Sequence, residues 1–205
     1  MGKKANGMVR CNMYQSRGLK NFIRTHPVIF ILVGINILFF LFITLPIFPN
    51  RWIAEKMIGV NILIANGEWW RLVTPIFIHS NFNHLLFNCI SLVIIGSLLE
   101  ERKKKSTFLL VYLSSGIFAN VFTYIFAPLT FIHVGASGAV FGLLGVFAML
   151  IYLNKLPYQL KNSLLVIIIL ALLFTFMEKN TNIYAHIGGF LWGCLCGFLI
   201  IRKTI

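Results

Sequence analysis

Apolar residues run through this chain in long blocks separated by short polar breaks. Blocks at approximately 27–48, 83–99, 106–127, 137–153, 160–177 and 183–201 carry almost no charge. Their lengths suit helices crossing a bilayer, so the pattern predicts an all-α polytopic membrane protein with six transmembrane helices, preceded by a basic segment at 1–26. The stretch 49–82 is too long for a simple connector and too mixed for a span. Its amphipathic pieces, with Trp52, Trp69 and Trp70, predict short helices lying partly in the outer leaflet.

The fourth block is short. From Ser137 to Leu153 a helix would be about 25 Å long, less than a hydrocarbon core of about 30 Å. The preceding segment, Pro128 to Gly135, has no charged residue. Together these predict a loop that dips into the membrane and a helix that begins below the surface. Non-helical backbone at that depth must be buried in protein or line a wet cavity.

Composition agrees: 59% of the 205 residues are hydrophobic and 11% charged, against about a quarter charged in soluble domains. The net charge of +13 does not point to nucleic acid, because it is distributed by compartment. Lys and Arg number fourteen in the N-terminal segment, the loops after spans two and four, and the C-terminus; Arg51, Lys56, Arg71 and Lys179 make four on the other side. The positive-inside rule then puts both termini in the cytoplasm. Glu100-Glu101-Arg102-Lys103-Lys104-Lys105 reads as a solvated cytoplasmic turn. The first span lacks a signal-peptide cleavage site and reads as a retained helix. Cys11, Cys89, Cys194 and Cys196 suggest neither a disulfide framework nor a zinc site, and no cofactor is implied.

Against this apolar background a few polar residues stand out. Gly135-Ala136-Ser137-Gly138 sets a serine where the fourth helix begins, with Gly142 and Gly145 following. Ala185-His186-Ile187-Gly188-Gly189 opens the sixth, with Gly193 and Gly197 beyond. On a helical wheel His186, Gly189, Gly193 and Gly197 fall within about 60–80°. Small residues four apart let membrane helices approach backbone to backbone, which would bring Ser137 Oγ against His186, a nucleophile against a general base. On the second helix, which Asn81 or Asn83 can cap, His84 and Asn88 share a face. With a backbone N–H near Ser137 they could serve as oxyanion donors. Singly, each of these residues has a packing explanation; their combination is what points to chemistry. The chain has no Asp, and Glu55, Glu68, Glu100, Glu101 and Glu178 lie in loops or at span ends. A hydrolase here would work as a Ser–His dyad.

The stretches Trp70-Arg71, His79…His84-x-x-x-Asn88, Gly135-Ala136-Ser137-Gly138 and Ala185-His186-Ile187-Gly188-Gly189, in this order over about 67–201, resemble the rhomboid family of intramembrane serine proteases in its compact six-helix form. The resemblance implies a rhomboid-like bundle over 27–201 with a partly membrane-embedded first loop. It implies Ser137 as nucleophile, His186 as general base and acid, and His84 and Asn88 as oxyanion contributors. It further implies cleavage of transmembrane segments of other membrane proteins near the outer face of the cell membrane. Many members carry Tyr where this chain has Phe141, four residues after the serine; the ring can still pack on the histidine. Three alternatives are weaker. A non-proteolytic relative need keep neither dyad nor donors, a transporter usually shows internal repeats, and a metalloprotease would show H-E-x-x-H. A bundle binding haem through His84 and His186 would be revealed by an absorption spectrum.

Overall fold

A computed structural model describes residues 18–177 and 181–202. Most of the basic N-terminal segment, with Cys11, therefore lies outside the described residues, as do Glu178 and Lys179. The helices are α1 (Leu19–Thr25), α2 (Pro27–Thr44), α3 (Asn50–Met57), α4 (Asn61–Ala65), α5 (Phe82–Ser91), α6 (Ser97–Arg102), α7 (Lys105–Phe126), α8 (Ser137–Tyr152), α9 (Tyr158–Met177) and α10 (Ile183–Arg202). A π-helical turn, Leu92–Gly96, joins α5 to α6 into one continuous rod. Among the described residues five helices are long and apolar enough to cross a membrane: α2, the α5–α6 rod, α7, α9 and α10. Helix α8 is apolar but shorter.

Helix boundaries follow local chemistry. Pro27 sits in the first turn of α2, where its missing N–H costs nothing. Asn81 caps α5, its side chain accepting from the His84 N–H at 2.9 Å. The 49–82 stretch folds into α3, α4 and two 3-10 turns, Trp69–Leu72 and Thr74–Phe77. Arg71, 2% exposed, holds it together. Its guanidinium pairs with Glu68 at 2.7 Å and donates to the Glu55 and Ile58 carbonyls at 2.8 and 2.6 Å.

One sequence expectation is corrected. Glu100 does not belong to a solvated turn: it is 1% exposed. Its carboxylate accepts from the Val28 and Ile29 N–H groups at 3.0 and 3.2 Å and pairs with Lys105 at 3.2 Å. The first N–H groups of α2 have no intrahelical partner, and an acidic side chain also complements the helix dipole there. Glu100 thus ties α6 to the start of α2.

Helix α8 is the core of the bundle, buried from Gly138 through Phe147. It packs on α7 and α10 through residues without side chains. A Cβ on Gly189 would stand 2.0 Å from the Gly138 carbonyl oxygen, and one on Gly193 would stand 1.9 Å from that of Gly142. A Cβ on Gly145 would meet the Phe190 oxygen at 2.1 Å. The glycine stripes therefore hold two backbones in contact, as their spacing predicts.

The loop before α8 is anchored to the first loop by a two-residue antiparallel pairing, Gly59 with His133 and Val60 with Ile132. The His133 ring, 4% exposed, lies under Gly59, where a Cβ would stand 2.3 Å from it. Asn61 Nδ2 donates to the Pro128 carbonyl at 3.0 Å, and the Gly135 N–H donates to that of Pro75 at 2.9 Å.

Two outcomes are expected. Gly193→Val should lower the unfolding stability of the detergent-solubilised protein by roughly 3 kcal/mol or more. Gly34→Ala, where nothing lies within 4 Å, should leave it nearly unchanged; equal melting of the two variants would contradict the contact. The second concerns pH. Burial pushes His133 down to about 4 from its ordinary 6.5. Below pH 6.5 the unfolded chain takes up a proton that the folded one refuses. The stabilisation is complete above about 6.5 and is lost as pH falls toward 4, by up to roughly 3 kcal/mol. Melting curves of His133→Gln should be flatter across that window than those of the native chain.

Candidate active site

Ser137 is the first residue of α8, and the conformation of its approach requires glycine. Gly135 has φ +119°, in the region that disfavours residues with a Cβ. A Cβ there would also stand 2.6 Å from His84 Nε2 and 3.8 Å from Ser137 Oγ. The imidazole of His84 and the hydroxyl of Ser137 thus flank the bare face of one glycine. Ser137 is half-buried at the start of a helix whose first N–H groups lack intrahelical acceptors.

His186 lies in the first turn of α10, 8% exposed. Asn182 positions that turn, its side chain accepting from the Ala185 N–H at 3.0 Å and bonding to Thr123 of α7 at 3.1 Å. The His186 ring stacks on Phe141 with centroids 3.9 Å apart and planes 14° from parallel. Phe141 follows Ser137 by one helical turn, so a ring stacked on it lies beside the face that carries the hydroxyl. The direct hydrogen bond of His186 is to Thr175 of α9, Nδ1 to Oγ1 at 2.9 Å. Ser137 and His186 lie on touching helices but are not hydrogen-bonded to each other in this structure.

His84 and Asn88 project from α5. His84 Nδ1 is 3.1 Å from Ser80 Oγ, which leaves Nε2 toward Gly135. Asn88, 6% exposed, donates one amide hydrogen to the His84 carbonyl at 2.9 Å and retains the other. His79 is buried and packs edge-on against His84 with centroids 5.1 Å apart. Burial, with a smaller contribution from His84, pushes His79 down to about 4, so it stays neutral near pH 7.

His84, Ser137 and His186 thus come from three helices that meet around Gly135 and Phe141, and Asn88 lies one turn along α5 from His84. Sequence reading missed Thr175, a hydroxyl in an apolar helix with no motif around it. His79, to which the motif assigns no role, is buried against His84. Among the described residues no group of three or more His, Cys, Asp or Glu is placed to hold a metal ion. A cleft of about 340 Å³ beside Arg71 in the first loop includes none of the four candidates.

Known proteins share these features. The Rhomboid domain family profile matches residues 66–203, which include all four candidates. The chain is 39% identical over 191 residues to the putative rhomboid protease YdcA of Bacillus subtilis, covering 92% of this chain and 96% of that protein. It is 39% identical over 135 residues to the rhomboid protease GluP of the same organism, covering 65% of this chain but 26% of GluP. RHOMBOID-like protein 1 of Arabidopsis thaliana is 37% identical over 165 residues, which is 76% of this chain and 41% of the plant protein. With the profile spanning most of the chain and the likeness to YdcA running nearly end to end, the chain belongs to the rhomboid family of intramembrane serine proteases.

Proposed function

We propose that Ser137 and His186 form a catalytic dyad that cleaves transmembrane segments of other membrane proteins near the outer face of the cell membrane. The observation that carries this is the placement of Ser137 beside Gly135 and His84, with its helix in backbone contact with the one that holds His186. In the reaction Ser137 Oγ attacks the scissile carbonyl while His186 Nε2 takes the hydroxyl proton. The carbonyl oxygen gains negative charge and accepts from His84 Nε2–H, the free Asn88 N–H and a backbone N–H at the start of α8. His186 then returns the proton to the leaving amine, and an acyl-enzyme remains on Ser137. A water molecule, deprotonated by His186, releases the new carboxylate and restores the serine. The missing Ser137–His186 hydrogen bond is compatible with this, because catalytic hydrogen bonds commonly tighten when substrate binds.

The fold is read as six spans, with α8 crossing from below the outer surface. Residues 1–26 form a basic cytoplasmic segment and 27–201 the membrane domain. Phe141 supplies the ring that packs on His186 and no hydroxyl, which leaves proton transfer to the dyad itself.

Ser137→Ala and His186→Ala should each abolish cleavage of a transmembrane substrate in liposomes, with melting temperatures close to the native one. Because the pair acts as a unit, the double variant should be no worse than either single. Asn88→Ala should lower turnover on the order of 10²–10³-fold, about 2.7–4 kcal/mol. Substantial cleavage by Ser137→Ala would sink the dyad, and a loss confined to stability in Asn88→Ala would remove that residue from the oxyanion site.

Topology supplies a separate check. A reporter fused after Ile205 should read cytoplasmic and one inserted within 50–66 should read external. The opposite result at either place would overturn the six-span reading.

A further inference from the structure

We infer that Thr175 fixes the tautomer of His186 and is the third, neutral member of the site; this rests on the reading of His186 as the base. Thr175 is on α9, 2% exposed, and is the one polar residue in the stretch from Leu164 to Met177 of that helix. Its Oγ1 lies 2.9 Å from the Ala171 carbonyl oxygen and 2.9 Å from His186 Nδ1. A threonine hydroxyl has one proton and two lone pairs. A carbonyl oxygen can only accept, so the hydroxyl proton goes to Ala171. Toward His186 the same oxygen must then accept, and Nδ1 must carry the hydrogen. In neutral imidazole the other nitrogen is then bare. Nε2 is thereby left with a lone pair, the form a general base for Ser137 needs.

The opposite tautomer would place two lone pairs face to face at 2.9 Å in a buried site, or force the hydroxyl to abandon Ala171. The first leaves two buried acceptors with no hydrogen between them; the second gives up the 2.9 Å bond to Ala171 that the side chain makes here. Serine hydrolases with a triad use a carboxylate for this task. Among the described residues no carboxylate is placed against His186: Glu55 and Glu68 surround Arg71 or face Arg51, Glu100 lies at the start of α2, and Glu101 pairs with His26. A neutral acceptor suits this depth, where a buried charge would be costly. When Nε2 takes the serine proton, the Nδ1–H bond to Thr175 becomes charge-assisted and strengthens. No proton leaves Thr175 at any stage. It is a positioning residue, acting on substrate only through His186.

The test combines spectroscopy with reactivity. In protein labelled with [15N]histidine, the His186 signal is identified by its loss in His186→Gln. It should report a protonated Nδ1 and a bare Nε2 in the native chain and in Thr175→Ser. In Thr175→Val, which keeps the shape and removes the hydroxyl, it should shift toward the Nε2–H tautomer. The rate at which a fluorophosphonate labels Ser137 should fall on the order of 10-fold in Thr175→Val and recover in Thr175→Ser. A native spectrum showing Nε2–H would overturn the inference, as would native-rate labelling of Thr175→Val or a loss that serine does not restore. The native and serine spectra decide the matter even if the valine variant does not fold. Because the tautomer is read without any cleavage, failure of Thr175 is distinguishable from failure of the dyad.

Discussion

The contact between α8 and α10 is the constraint on which the rest of the structure depends. Lipid tails are as apolar as leucine, so membrane helices gain nothing by hiding side chains from their solvent. What holds them is close packing, and packing is closest where there are no side chains. Gly138 and Gly142 present their carbonyls to Gly189 and Gly193, with no room for a methyl group between. Ser137 precedes the first of these residues and His186 lies one turn before Gly189. The distance between the two functional groups is thus set by backbone against backbone, which cannot relax by choosing another rotamer. The stacking of Phe141 on His186 then fixes the ring's plane.

Around this pair the first loop acts as a brace. Arg71 gathers the ends of α3 and of the Gly59 turn, and Asn120 of α7 donates to the Leu72 carbonyl at 2.9 Å. Next along the chain, Pro75 accepts from Gly135. The loop that leads into Ser137 is therefore gripped on one side by the Gly59–His133 pairing and on the other by Pro75. Each of these bonds satisfies a backbone group that would otherwise be buried unpaired beside the membrane core. The polar ties that make an irregular loop tolerable there are the same ones that aim its serine.

Much of this was legible in the sequence because the signals were periodic. Six apolar blocks mark the helices to within a few residues, and glycines four apart anticipate the tight helix pair. Asn81 and Asn83 both suit a cap by residue type, and the fold uses Asn81. What stayed hidden depends on contacts without local signature. Glu100, amid five other charged residues, reads as solvated, and only the fold shows α2 beginning directly above it. A two-residue strand pairing such as that of Gly59 with His133 has no period to detect. The π turn at Leu92–Gly96 leaves the apolar pattern of its helix unchanged. Thr175 is invisible for a simpler reason: one hydroxyl in a run of Leu, Ile and Phe acquires meaning only when a histidine from another helix meets it.

Under the roles proposed for His186 and Thr175, position and protonation at the site are controlled by different helices and by energies of different kinds. Helix α8 is buried nearly throughout, and displacing it from α10 would mean opening a contact between two backbones. Helix α9 is buried chiefly at Leu164, Ile168 and Thr175, and its hold on His186 is one hydrogen bond, worth about 1 kcal/mol. Misplacing reacting groups by about 1 Å can cost about 100-fold in rate. A contact that resists such displacement is the demanding part of the design, and it falls to the rigid pair. Choosing between two imidazole tautomers needs only a small bias, and a single well-placed acceptor supplies it. With the proposed roles, this division would let a chain without aspartate assemble a histidine base inside a membrane: geometry would come from glycine packing, and the proton would be placed by a neutral hydroxyl instead of a buried charge.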